Sequence, residues 1–278
     1  MKKISLLIFT ILFTTITFAQ KKEKVKGSKI VTLEKIEIAA FTEIEIEDNL
    51  EVFLVKGTKN AIEIETDENL HTAINHQTYG NSLRLNTNKD ISSFKKLEIR
   101  VTYTDSLKLI SVKHEAKLNV LSEISLKNIT IKTYDYSKTL IDANVPNFTL
   151  LANDKSKVEL NLKSEEAFVE ISKNAVIKAH ISSNKLKFDM YQKSEAIVTG
   201  EVTEMKLRLD NNANYEGQRL TTKMLNLTTE SNTKCSIYTN GSLAIAAGGK
   251  SEISIFGEPK IDLKKFGDEA VLYKKVVK

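Results

Sequence analysis

The sequence predicts an all-β protein, a parallel β-helix or solenoid of about eight nineteen-residue coils with an N-terminal β-sheet region capping one end. Two observations carry this prediction. Small residues recur at nearly equal spacing through the second half, and the positions at fixed offsets from them share one residue class. The composition agrees, because 41% of the 278 residues are hydrophobic and only 10 are Gly and 2 are Pro. Such a chain is globular rather than disordered or collagenous.

The small residues mark the predicted corner of each coil. They are Ala116, Ser137, Ser156, Ala175, Ser194, Ala213, Thr233 and Ser251. Successive members are 21, 19, 19, 19, 19, 20 and 18 positions apart. A small side chain suits a corner too tight for a larger one, so we interpret these residues as the anchors of the repeat.

Two strands flank each anchor. Six positions before it stand only large apolar residues: Ile110, Ile131, Leu150, Val169, Phe188, Leu207, Leu227 and Ile245. Medium apolar or small residues predominate two and four positions after it, and such alternation is typical of strands. Between the strands, residues such as Asp135, Asp154, Asn174, Gln192, Asn211 and Gly249 predict a turn, and Asp, Asn and Gly tolerate left-handed backbone. One repeat cannot bury its apolar row alone, so the repeats must stack.

A β-sandwich is the alternative architecture, since it also shows short strands at regular spacing. A sandwich does not require equal repeats with the same residue class at five offsets. The sequence therefore favours the solenoid.

The first nineteen residues predict export. Lys2 and Lys3 precede an apolar run, and Thr17-Phe18-Ala19 supplies the small residues that signal peptidase needs, so cleavage is expected after Ala19. The run is shorter than the roughly 20 apolar residues of a membrane span, and no later segment predicts a spanning helix. The mature chain is expected in the periplasm, on the outer surface or secreted.

The rest of the chain divides into four predicted segments. These are a basic linker over 20–29, an N-terminal β region over 30–105, the solenoid repeats over 106–257 and a C-terminal cap over 258–278. The β region alternates apolar with charged residues, as a sheet with one buried face does.

Several classes of chemistry are disfavoured. The 41 Lys and Arg nearly balance the 36 Asp and Glu, which gives no case for nucleic acid. One Cys excludes a disulfide framework and a Cys-cluster metal site. Cys235 has no His in its part of the repeat, so we expect a buried structural thiol. No cofactor or metal is predicted; Asp135 and Asp154 share an offset that could bind calcium, but turn formation explains them better.

One outward-facing constellation is a candidate site. Glu170, Asp189 and Arg208 share an offset on adjacent coils, and Phe168, Lys187 and Lys206 share the offset beside it. Glu170 and Asp189 would lie about 5 Å apart, within the range of glycosidase carboxylate pairs, and the cations could hold an acidic sugar. Tyr134 and Tyr191 share another outward offset and could stack on sugars. The alternative is an exposed charge ladder that keeps a β face soluble.

Three short motifs add a family resemblance. Phe41-Thr42-Glu43-Ile44-Glu45-Ile46 matches an "F-x-x-I-x-v" opening, Asp154-Lys155-Ser156-Lys157-Val158 matches a small-residue corner, and Gly257-Glu258-Pro259 matches a late "G-x-P". From about Phe41 to Ile261 the chain resembles the auto-transporter adhesin head domain, also called the GIN domain. The resemblance implies an exported protein with an adhesin-like surface, and it supplies no catalytic residues.

The function predicted from these observations is non-enzymatic: an exported solenoid that presents a surface to a polysaccharide or an envelope protein. A polysaccharide-active enzyme, hydrolase or lyase, with a site on an exposed face is the first alternative. A structural envelope protein is the second.

Overall fold

A computed structural model describes residues 22–276 and confirms the predicted fold: 66% of the chain is strand, 2% is helix, and the strands wind into a β-solenoid of about nine turns. The strands of the first half are β1 (Lys24–Lys26), β2 (Val31–Glu37), β3 (Glu43–Ile46), β4 (Glu51–Lys56), β5 (Ala61–Asp67), β6 (Ile74–Tyr79), β7 (Ser82–Thr87), β8 (Asp90–Ser92), β9 (Leu97–Tyr103), β10 (Leu109–Val112), β11 (Lys117–Val120), β12 (Asn128–Thr133) and β13 (Lys138–Asn144). Those of the second half are β14 (Asn147–Ala152), β15 (Lys157–Ile171), β16 (Val176–Met190), β17 (Glu195–Leu209), β18 (Asn214–Thr229), β19 (Lys234–Ala247), β20 (Glu252–Phe256), β21 (Lys260–Phe266) and β22 (Val271–Lys274). A 3-10 helix spans Glu68–Ala73.

Each turn of the solenoid gives one strand to each of two walls. The front wall contains β3, β7, β10, β12, β14, the second halves of β15 to β19, and β21. The back wall contains β4, β9, β11, β13, the first halves of β15 to β19, β20 and β22. All these strands pair in parallel, so identical repeat positions lie above one another, and the inward apolar rows form a core between the walls.

The anchors and corners are where the sequence places them. All eight anchor residues are buried. Two positions before each anchor the backbone has positive φ, at His114, Asp135, Asp154, Lys173, Gln192, Asn211, Ser231 and Gly249. Asp, Asn and Gly fill half of these positions because they adopt the left-handed conformation at least cost. The corner prediction is therefore confirmed.

The solenoid also contains a turn from the first half of the chain. β3 and β4 stack in register on β10 and β11, with Ile44 opposite Ile110 and Val52 opposite Leu118. The corner has positive φ at Asp48, and its buried anchor position holds Leu50. The small-residue pattern does not reveal this turn, because a Leu stands at the anchor and a long insertion separates it from the next coil.

The N-terminal end of the solenoid, called the head here, is covered. β5 pairs antiparallel with both β2 and β9, and β6 pairs antiparallel with β7. The 3-10 helix packs below them and buries Leu70 and Ala73. The head therefore closes the core, as the predicted N-terminal capping region would.

The segment interpreted as a basic linker is docked over its described residues. β1 pairs with β8, Lys22 Nζ lies 2.6 Å from an Asp48 carboxylate oxygen, and the Lys29 N–H donates to Asp67 Oδ2 at 2.8 Å. A segment rich in Lys is predicted to be solvated, but the pairing of β1 with β8 holds this segment against the rest of the protein. The predicted leader, residues 1–19, lies outside the described residues.

The C-terminal end, called the tail here, carries one more turn. β21 pairs with the second half of β19, and β22 pairs with β20. Every residue of β21 is exposed. The boundaries predicted for the segments, including a cap over 258–278, stay predictions. Within residues 22–276 there is no helix long and apolar enough to cross a membrane.

Candidate functional site

The predicted acidic and basic residues lie together on the outer face of the front wall. Glu170 on β15 is directly opposite Asp189 on β16, which in turn is opposite Arg208 on β17. Lys187 and Lys206 are neighbours in the adjacent row. Parallel, in-register stacking produces this arrangement, since residues nineteen apart occupy the same position on successive turns.

Asp189 is engaged in an ion pair. Its side chain is almost fully buried, although it belongs to the outward row, and its carboxylate lies 2.9 Å from Lys187 Nζ. The hydrogen bond to Asp189 raises the pKa of the Lys187 ammonium. The same ammonium lies 4.6 Å from the centre of the Phe168 ring, a cation–π distance. The carboxylate is thus tied to a neighbouring cation rather than directed into an open site.

Arg208 and Tyr191 form a second contact. The Arg208 guanidinium carbon lies 5.8 Å from the centre of the Tyr191 ring, and Nη2 lies 3.7 Å from a Glu230 oxygen. Burial raises the pKa of the Tyr191 hydroxyl, and the nearby Asp189 charge adds to the effect. The Tyr side chain is therefore packed beside charged neighbours.

Tyr134 is kept apart from Tyr191. The two share a row, but Asn153 and Ser172 lie between them on the intervening turns. The Ser172 hydroxyl donates to Asn153 Oδ1 at 2.6 Å. The row is therefore polar between the two rings, and they do not form one continuous stacking surface.

An open groove of about 630 Å³ crosses five turns of the front wall. We call it the front groove; its walls include Asn147, Glu166, Phe168, Lys187, Lys206 and Met224. It takes in two of the predicted ligand residues, Lys187 and Lys206. Glu170, Asp189, Arg208, Tyr134 and Tyr191 are outside its lining.

The charges of the groove follow the coil repeat. Glu166, Lys185 and Glu204 are opposite one another on three turns, and Lys185 Nζ lies 3.0 Å from Glu166. Lys187 and Lys206 are also directly opposite. Like charges in this position repel each other. Among the described residues no carboxylate forms an ion pair with Lys206.

Sequence reasoning missed Glu166, Lys185, Glu204 and Met224 as part of this surface. A signal was present, because each stands nine positions before an anchor. The shared offset places these residues in one row, but it does not show that the row borders a hollow. A residue pattern does not record that shape.

The remaining candidate residues lie at corners or in the core of the described chain. Residues 22–276 hold no group of three or more His, Cys, Asp or Glu placed to bind a metal. Asp135 and Asp154 occupy corners with positive φ. Cys235 is buried between Tyr215 and Ile253 on adjacent turns, and burial raises the pKa of its thiol.

A parallel β-solenoid with an open, charged groove on one wall places the chain in the class of proteins built from stacked, repeated coils. The chain belongs to the family described as "Putative auto-transporter adhesin, head GIN domain", which matches residues 40–259. The family resemblance noted from the short motifs is thereby confirmed.

Solved structures share the fold. A "putative adhesin" from Parabacteroides merdae is 18% identical with a TM-score of 0.63, and the match covers 91% of this chain and 99% of that one. A "putative adhesin" from Parabacteroides distasonis is 17% identical with a TM-score of 0.64 and the same coverage. A "putative lipid binding protein" from P. distasonis is 15% identical with a TM-score of 0.61, covering 91% and 100%. None of the curated proteins matches the chain.

The family and the first two of these structures carry adhesin names and not enzyme names. Family membership also agrees with an exported protein. At these identities the structures establish the shared fold alone.

Proposed function

We propose that this protein is an exported, non-enzymatic binding module of the cell envelope, and that its front groove holds an extended anionic polysaccharide. One observation carries the proposal. Lys187 and Lys206 are stacked within the groove beside the Phe168 ring, and Lys206 forms no ion pair among the described residues.

The lysine stack favours an anionic ligand. Lys187 shares its charge with Asp189, whereas Lys206 is compensated by no carboxylate of residues 22–276. A carboxylate or sulfate group between the two ammonium groups would relieve their repulsion at the moment of binding. An aromatic ring beside a few polar groups is the usual composition of a site that orients a small-molecule unit.

The groove's shape favours a polymer. Five turns at about 4.8 Å each extend roughly 19 Å from the first strand to the last, which is room for several sugar units. The groove is open to solvent along this length, so a long chain can enter from the side. Polar Asn147 and Asn226 also line it and can form hydrogen bonds with hydroxyl groups.

Retention on immobilised polysaccharides tests the proposal. The protein from Gln20 onward is applied to matched anionic and neutral polysaccharide columns at several salt concentrations. We expect retention on the anionic column only, and weaker retention as salt rises because exposed charges are screened. Lys206→Gln should reduce the affinity about tenfold, equivalent to about 1.4 kcal/mol.

Lys157→Gln is the matched control. Lys157 is also exposed and also stacked on another lysine, Lys138, but it lies on the back wall. It should leave retention unchanged. Equal losses from both substitutions would show that net charge, and not the groove, governs binding. Retention by anionic vesicles without retention by any polysaccharide would contradict the proposal in favour of lipid.

The enzyme alternative has its own readout in the same experiment. Release of reducing or unsaturated ends from a bound polysaccharide would establish a hydrolase or lyase. In that case Glu170→Gln should abolish release without changing the melting temperature. Neither retention nor release, from polysaccharides or vesicles, would favour the structural envelope role.

A further inference from the structure

The tail exposes the core of the solenoid. Ile261 is opposite Leu243, Leu263 is opposite Ile245, and Phe266 is opposite Ala247. Those three partners are fully buried core residues, so the β21 side chains face the same interior. Yet Ile261, Leu263 and Phe266 are 42%, 53% and 42% exposed, because residues 22–276 place no further turn above them.

The edges of the tail strands are also open within the described chain. β21 pairs only with β19, and β22 pairs only with β20. Each has one row of backbone N–H and C=O groups directed away from the solenoid. Such an edge is a template for pairing with another strand. Apolar side chains and unpaired backbone therefore coincide at one end of the molecule.

We propose that the tail is an interaction surface for a second copy of this chain, joined tail to tail. A two-fold axis perpendicular to both walls places β21 antiparallel to β21 of the second copy and β22 antiparallel to its β22. The exposed apolar rows of the two β21 strands then meet each other, while the inward row of β22 contributes Leu272 and Lys274. The contact is isologous, so it closes at two copies.

The head of a second copy fits the tail less well than a second tail does. At the head, β5 and then β2 continue the back wall beyond β9, and the inward row of β2 holds Thr32, Glu34 and the partly buried Ile36. Thr32 and Glu34 contact the two ring nitrogens of His71 at 2.9 and 3.1 Å. Head-to-tail stacking would place these polar groups over Leu272 of β22. It would also place β6, whose inward row carries His76 and Thr78, over the apolar row of β21. The resulting assembly would also be open-ended, whereas the tail-to-tail contact closes at two copies.

The expected dimer is weak. A strand of seven residues at 3.3 Å each and two walls about 10 Å apart give an end of roughly 450 Å² with side chains included. Two such ends bury roughly 900 Å², below the approximately 1,200 Å² at which stable specific interfaces begin. We therefore expect micromolar or weaker association. Salt should strengthen it, because each β21 strand carries three lysines against one carboxylate, Asp262, so the two strands repel each other until salt screens their charges.

Sedimentation velocity across a concentration series, at low and high salt, tests the proposal. We expect a monomer–dimer equilibrium that shifts toward dimer with salt, and Leu263→Glu should abolish it. Leu33→Glu is the matched control: Leu33 is also 53% exposed and lies on an edge strand, but at the head. It should leave dimerisation intact, and circular dichroism should show both variants folded.

Several outcomes would overturn the tail-to-tail dimer. These are a monomer at every concentration up to about 1 mM, a dimer that survives Leu263→Glu, or a dimer that Leu33→Glu also disrupts. Higher oligomers that grow with concentration would indicate head-to-tail assembly instead. None of these results bears on polysaccharide retention, since the front groove and the tail are separate surfaces.

Discussion

Asp67 Oδ2 accepts a hydrogen bond from the backbone N–H of Lys29 at 2.8 Å. The same carboxylate accepts from the backbone N–H groups of Lys95 and Lys96 at 3.0 and 3.2 Å. Asp67 is fully buried. One side chain therefore joins the N-terminal segment and the loop before β9 to the end of β5.

Asp67→Asn should lower the melting temperature by several degrees at neutral pH. An amide offers an N–H where the carboxylate accepts one, so a donor would face a donor in a buried place. Differential scanning calorimetry measures the change. Asn69→Asp, at a neighbouring exposed position that also bonds this segment, is the milder control. If Asp67→Asn leaves the melting temperature unchanged, the Asp67 carboxylate does not contribute to the stability of the fold.

Stability should fall in acid because of the same residue. Burial works to raise the pKa of the Asp67 carboxyl, but the backbone donors outweigh it and hold that pKa below its ordinary value. Its contribution is therefore complete above the unfolded pKa of about 3.9 and is lost as the pH falls through the lower folded value. Chemical denaturation between neutral pH and pH about 2 should show a smaller loss for Asp67→Asn than for the parent.

Gly27→Ala should destabilise the docked N-terminal segment. A methyl group at Gly27 would lie 2.9 Å from the Phe94 Cα and would also clash with the Asp67 carboxylate. Gly267→Ala is the control, since nothing lies within 4 Å of a methyl group there. Limited proteolysis should cut Gly27→Ala near residue 27 faster than the parent. Equal rates for the two variants would show that the segment tolerates the displacement.

Gln192→Gly should stabilise the solenoid by about 0.5–1 kcal/mol, and Gln192→Val should destabilise it by about 1–2 kcal/mol. Gln192 is an exposed corner residue with φ of 53°, a conformation that Gly adopts freely and a β-branched residue resists. Urea unfolding measures both. Lys178→Gly, within strand β16, should destabilise instead. The same sign for both Gly variants would contradict the corner argument.

Cys235 should react with a thiol reagent only after unfolding. The side chain is buried, and burial raises the pKa of the thiol, so both access and thiolate content are low. Labelling in native buffer should be at least about a hundredfold slower than in denaturant. Fast native labelling would show that the turn containing Cys235 opens readily.

The repeat made much of this fold predictable. The anchors from Ala116 to Ser251 mark the corners directly, since a tight corner limits side-chain size and a left-handed residue precedes it. The turn at Leu50 was not predicted, because the repeat was recognised by small anchor residues at constant spacing and this turn has neither. The docking of residues 22–29 was not predicted either. It depends on Asp67, and the three backbone N–H groups that donate to this carboxylate come together only in the folded chain.

The candidate site was predictable in part for the same reason. Equal spacing placed Glu170, Asp189 and Arg208 in one row and Lys187 with Lys206 in the next. The burial of Asp189 and its pairing with Lys187 depend on side-chain conformation, which the offset does not specify. The position of the front groove depends on the three-dimensional path of the strands, which the offsets do not specify, so its other residues were not recognised.

The parallel pairing of the walls has a mechanical consequence. Lys22 lies toward the head and Val276 at the tail, so tension between these points acts along the solenoid axis, in line with the hydrogen bonds between successive turns. Under such a load the hydrogen bonds between one pair of turns break before those between the next pair, rather than all at once. The open tail turn, which has a neighbour on one side only, should detach first, and the chain should then unwind toward the head in small, equal steps of length.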